Sequence, residues 1–154
     1  MEYLIVKWLH VLSSTVLFGT GIGTAFYLLV AVLGGDLRLT VGVSRWVVRA
    51  DWLFTATTAL LQPLTGFWLV HLAGIPLSTQ WVAWSIALYA LAIACWLPVV
   101  WLQVRMRDLA ARALSHHTEL EDAFWRCFTA WFLLGIPALC AFLAIFWLMV
   151  AKPA

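Results

Sequence analysis

Three side chains in this sequence combine ligand chemistry with long apolar surroundings: His10, His71 and Met149. An ionisable group inside an apolar run is a functional-site hypothesis from the outset, because lipid makes an unpartnered one costly. His10 follows Lys7 by three residues, and at the helical period it shares a face with Ser14, Leu17, Gly21 and Thr24. Most of that stripe is small or polar, so it is expected to face other helices. A ligating imidazole must be neutral, with its second nitrogen held by a partner. Ser14, one turn on, is placed to be that partner; a backbone carbonyl or a water is the alternative. His71 closes the second apolar run in the same leaflet as His10, and two imidazoles from neighbouring helices can hold a b-type haem. Met149, near the end of the last run, is a further axial candidate. The expected cofactor is therefore haem b, with His10 as metal ligand and His10, His71, Met149 and Ser14 as the binding set. Plainer readings stand beside these: a hydrogen-bonded neutral His10, a His71 that reaches water, and a Met149 that only packs. Covalent c-type attachment is excluded, since no Cys-x-x-Cys-His occurs.

Other groups point to structure more than to chemistry. Gly19 and Gly23 have the spacing that lets a neighbouring helix approach closely, with Gly21 between them on the His10 face. Thr55, Thr58, Gln62 and Gly66 line one side of the next helix, where Pro63 removes a backbone donor. Gln62 can join two helices, contact a cofactor, or satisfy the carbonyl that Pro63 frees. Asp51 can cap its helix or pair with Arg105 or Arg107. The adjacent His116 and His117 read as a solvated turn, since neighbours in sequence do not share a helix face. No Ser-His-Asp set, paired catalytic carboxylates or phosphate loop is present.

The elements that position these residues follow from charge. Trp8 to Gly35 is free of Asp, Glu, Lys and Arg for 28 residues, Trp52 to Val104 for 53, and Cys127 to Ala151 for 25. One helical crossing takes about 20 apolar residues, so the first and third runs are single spans and the second holds two. The break falls at Gly74-Ile75-Pro76-Leu77-Ser78-Thr79-Gln80. The reading is an all-α bundle of four transmembrane helices over about 4–33, 51–73, 80–105 and 124–151, one membrane domain covering 1–154. A short interfacial helix is expected between the first two, where Val41, Val43, Trp46, Val47 and Val48 alternate with Arg38, Arg45 and Arg49. Arg105 to Arg112 is expected to prolong the third helix beyond the bilayer. The whole composition agrees: 65% of the 154 residues are hydrophobic and 10% charged, which excludes a soluble globule and a disordered chain. A net charge of +2 is no nucleic-acid footprint. Seven arginines flank the ends of spans one and three, against Lys7 and Lys152 on the other side, so both termini are expected outside a bacterial inner membrane.

Several stretches carry a resemblance. Glu2-Tyr3-Leu4 through His10-Val11-Leu12-Ser13-Ser14, Ala50-Asp51-Trp52-Leu53-Phe54, Gln62-Pro63-Leu64-Thr65-Gly66, Trp96-Leu97-Pro98 through Gln103, and Arg105-Met106-Arg107-Asp108 resemble a family of small bacterial four-helix membrane proteins of unknown function. The layout is also distantly similar to haem-containing membrane protoporphyrinogen oxidases and to the membrane domains of D-type copper-resistance proteins. In those oxidases a Lys precedes the haem-ligating His of helix one by three residues, as Lys7 precedes His10, so the resemblance implies haem at His10. It departs in helix three, where Trp81-Val82-Ala83-Trp84-Ser85 lacks the oxidases' Lys, so the resemblance speaks for haem binding at His10 more than for protoporphyrinogen oxidation.

Two functions remain open at this point. One is a membrane b-type haem redox protein that passes electrons to or from a quinone or porphyrin-like substrate. The other is a non-catalytic accessory subunit or assembly factor, in which the buried polar groups only organise the bundle. The expected partners are the lipid bilayer and either a second copy or a larger membrane complex, and no nucleic acid.

Overall fold

The computed structural model describes residues 1–153 and is helical almost throughout. Its helices are α1 (Glu2–Leu33), α2 (Leu37–Ala50), α3 (Ala56–Leu72), α4 (Gln80–His116) and α5 (Asp122–Ala151). A single π-turn, Asp51–Thr55, joins α2 to α3. Four helical stretches are long and apolar enough to cross a membrane: Glu2–Leu33, Leu37–Leu72, Gln80–His116 and Asp122–Ala151.

The second stretch differs from the sequence expectation in one respect. The amphipathic segment before Asp51 is the expected short helix, α2, but it runs into α3 through the π-turn without a loop. Asp36 caps its start by accepting from the Arg38 and Leu39 amides at 2.8 and 3.2 Å. Its other end runs on through the π-turn, where the Ala56 amide bonds back to the Asp51 carbonyl. Threonine hydroxyls close over this irregular turn: Thr57 donates to the Leu53 carbonyl at 2.7 Å and Thr58 to the Phe54 carbonyl at 2.5 Å. In lipid such backbone groups must be satisfied from within.

The helix ends use two matching motifs. Gly74, at φ +64°, follows α3, with its amide on the His71 carbonyl and that of Ile75 on Val70. His117, at φ 54°, follows α4 in the same way, with its amide on Leu114 and that of Thr118 on Ala113. This six-to-one, five-to-two pairing is the usual left-handed helix stop. Extension of the third span past Arg105 thus ends at a defined cap, and the two adjacent histidines belong to it.

Packing divides the molecule into halves. α1 lies along α3, α4 along α5, and α2 ties the two pairs together through its contacts with α1 and α4. The apolar core sits at the arginine-rich end, built from Leu28, Val32, Val41, Leu102, Met106, Leu109, Phe124 and Trp131. Towards the termini the buried residues are mostly small or polar, among them Ser13, Thr65, Ser85 and Ala92. An edge-on aromatic cluster of Phe18, Phe142 and Phe146 links α1 to α5 there. Trp8, Trp68, Trp84 and Trp147 are exposed near one end and Trp46, Trp52, Trp101 and Trp125 near the other, the distribution of two interfacial belts.

The glycines on α1 do not do what their spacing suggests. A Cβ on Gly19, Gly21 or Gly23 would meet nothing within 4 Å, so no helix approaches there. The close crossing is made instead by Gly66 of α3, against the ring of His10.

Candidate functional site

His10 stands about two turns into α1 and is half buried against α3. Its neighbours come from a single face of α3, where Gln62, Thr65 and Gly66 recur at the helical three-to-four spacing. A Cβ at Gly66 would lie 3.3 Å from His10 Cε1, so only a glycine lets the imidazole rest on the α3 backbone without displacement.

The hydrogen bonds run in one direction. The Thr65 hydroxyl donates to the Leu61 carbonyl at 2.8 Å. With that hydrogen on Leu61, the oxygen is free to accept from the ring, and His10 Nδ1 lies 2.8 Å from it. A proton on Nδ1 leaves Nε2 as an acceptor, and the Gln62 amide nitrogen lies 3.1 Å from it. The Gln62 oxygen in turn accepts from the hydroxyl of Ser13, which is buried. The chain Ser13 to Gln62 to His10 to Thr65 to the Leu61 carbonyl is thereby complete, with a neutral imidazole in its Nδ1–H form.

The sequence-derived candidates fall around this chain unevenly. His10 is at its centre. Ser14 is not the ring's partner, because its hydroxyl donates to the Val11 carbonyl at 2.8 Å. His71 is exposed. It follows Gln62 by nine residues, about two and a half helical turns, and so leaves α3 on the side opposite to Gln62. Met149 is half buried in the last turn of α5, the helix that runs along α4. The groups brought to His10 are therefore Ser13, Gln62, Thr65 and Gly66. Gln62 and Gly66 had been placed on a common face from sequence, whereas Thr65 and Ser13 had not. The available signal was the Gln62-x-x-Thr65-Gly66 spacing, which sets an amide, a hydroxyl and a gap on one stripe.

This arrangement bears on haem in two ways. Donation from Nδ1 to Thr65 is the outer hydrogen bond that a ligating imidazole needs. Nε2, the atom that would meet iron, is taken by Gln62, and His71 does not face it. His10 would hold such a group only if the Gln62 amide withdrew from Nε2; a pairing with the exposed His71 does not fit. Among the described residues no group of three or more His, Cys, Asp or Glu side chains converges as a metal site.

Gln62 also loses one of its proposed roles. Pro63 has no N–H for the Ala59 carbonyl one turn back, and that carbonyl accepts instead from the Tyr89 hydroxyl of α4 at 2.5 Å. Tyr89 is thus the partner of the proline defect.

Residues 4–153 match the model of a family described as predicted integral membrane protein. No curated protein and no solved structure matches the chain.

Proposed function

The chain belongs to that family, DUF2269, and on this premise we propose that it acts as a non-catalytic membrane subunit whose buried polar groups hold the helices in register. The observation that carries this reading is the closed chain from Ser13 to the Leu61 carbonyl, in which every donor and acceptor of His10 and Gln62's amide oxygen are used within the protein. Interhelical hydrogen bonds of this kind contribute about 0.6 kcal/mol each on average, enough to set register without supplying the bulk of stability. The seven-to-two arginine and lysine asymmetry supports an inner-membrane orientation with both termini outside. In this reading the chain works within a larger membrane complex or as a second copy's partner.

A second reading is favoured by one specific feature. The Nδ1–H of His10 is already held by Thr65, which presets Nε2 as the ligating atom, and only a neutral amide covers it. A b-type haem held there by His10, with Thr65 orienting the ring, would supply one-electron chemistry towards a quinone or porphyrin-like substrate.

Absorption separates the two. Protein expressed with ample haem is expected to purify colourless and, from native membranes under mild detergent, to migrate above its 17.3 kDa monomer mass. Reduced-minus-oxidised bands that vanish in His10→Ala overturn the non-catalytic reading in favour of haem. A monomer from native membranes overturns the subunit role.

A further inference from the structure

The π-turn holds a carboxyl group where one is costly. Asp51 is 4% exposed, and Thr55 on the same turn is also 4% exposed and donates to Asp51 Oδ1 at 3.0 Å. Gln103 of α4 is 5% exposed, and its amide lies within hydrogen-bonding reach of the Asp51 carboxyl. A buried carboxylate calls for a positive partner. Arg49 stacks over Trp46, Arg105 over Trp101, and Arg107 pairs with Asp108 at 2.8 Å, while Arg45 is exposed. The expected pairing of Asp51 with Arg105 or Arg107 is therefore not made.

The cluster is also short of a donor. Among the described residues, Gln103 Oε1 is the buried side-chain polar atom with no hydrogen-bond partner. Reversing the amide does not repair the deficit, because it sets the Gln103 oxygen against the Asp51 carboxylate. The Thr55 hydroxyl and the Gln103 NH2 can serve the two carboxylate oxygens, but the NH2 cannot reach its own amide oxygen, so Gln103 Oε1 is left without a hydrogen. A cation beside Gln103 Oε1 would satisfy that acceptor and the charge of the carboxylate together. A π-turn is a frequent setting for such a site, since it interrupts the regular backbone ladder.

We infer that Asp51, Thr55 and Gln103 form a site for one small monovalent cation, an alkali-metal ion or a proton, at the arginine-rich end of the bundle. Oxygen-only donors suit a hard cation, and a single carboxylate matches a single positive charge. The site lies on the α2–α3 and α4 helices and is separate from the His10 chain.

The test uses the full chain in detergent at constant ionic strength, with sodium, lithium or potassium chloride replacing choline chloride. An alkali-ion guest gives a saturable rise in unfolding temperature that Asp51→Asn abolishes. A proton guest gives instead an infrared carbonyl stretch of a buried carboxylic acid, also lost in Asp51→Asn. Absence of both signals in the parent protein overturns the site, as does persistence of either in Asp51→Asn. Should that variant fail to insert, Gln103→Leu keeps the carboxyl and removes the orphan acceptor. It is expected to weaken alkali binding about tenfold, or to shift the carboxylic-acid band as its acceptor is lost. An unchanged affinity and an unchanged band in Gln103→Leu overturn the assignment.

Discussion

Gly66 sets the sharpest steric condition around His10. An added methyl would stand 3.3 Å from Cε1, the ring atom between the two nitrogens that bond Thr65 and Gln62. Moving the ring to relieve that contact lengthens both bonds together. Gly66→Ala is therefore expected to destabilise the bundle by about 1–3 kcal/mol, the range for overpacking a filled site. Gly21→Ala is the control and should hold or raise the melting temperature in detergent, since its Cβ meets nothing within 4 Å and alanine favours a helix interior. Equal melting temperatures for both variants would mean that the ring yields freely and that Gly66 is not a constraint. The position of Gly66 on a polar stripe was legible from spacing. That it touches His10 was not, because a helical wheel orders residues around one helix and says nothing of which neighbour lies opposite.

Helix-level irregularities in this protein are compensated from other elements. Pro63 leaves the Ala59 carbonyl without its backbone donor, and Tyr89 supplies a hydroxyl from α4. Tyr89→Phe should cost about 1–3 kcal/mol for an unsatisfied buried acceptor. Pro63→Ala restores the amide, so the same Tyr89→Phe change should cost far less in that background. A double-mutant cycle in thermal unfolding checks this, and additive effects would break the link between proline and tyrosine. At the end of α4, His117 occupies the left-handed conformation at φ 54°. Glycine adopts it without steric cost, so His117→Gly is expected to raise stability by about 1 kcal/mol, measured by the same melts. A loss of stability would assign the His117 side chain a contact that outweighs its backbone strain.

Across the whole molecule, the chain's charge and its packing agree on two unlike ends. The arginines cluster where the apolar core is tight, and the termini lie where the buried residues are small and polar. Reporter fusions at the C-terminus and near Ser115 should report opposite sides of the membrane, with the Ser115 fusion cytoplasmic. A C-terminal reporter active in the cytoplasm reverses the orientation.

An all-helical chain, its four membrane-length spans and the places where they turn can all be read from the residues in order. These follow from local quantities: charge-free length against bilayer thickness, and glycine and proline at the breaks. The same reading marks His10 and Gln62 as intramembrane polar groups in need of partners. Helix packing assigns Thr65 and Gln62, not Ser14, to the ring, turns His71 to the far side of α3, and buries Asp51 beside Gln103 without an arginine. The α2–α3 continuity belongs with these, because a one-turn change from α to π geometry leaves no mark in hydropathy. The reason is common to all of them. A partner across a helix interface depends on the relative rotation and depth of two helices, and in lipid, where apolar residues are welcome on every face, periodicity constrains that rotation only weakly.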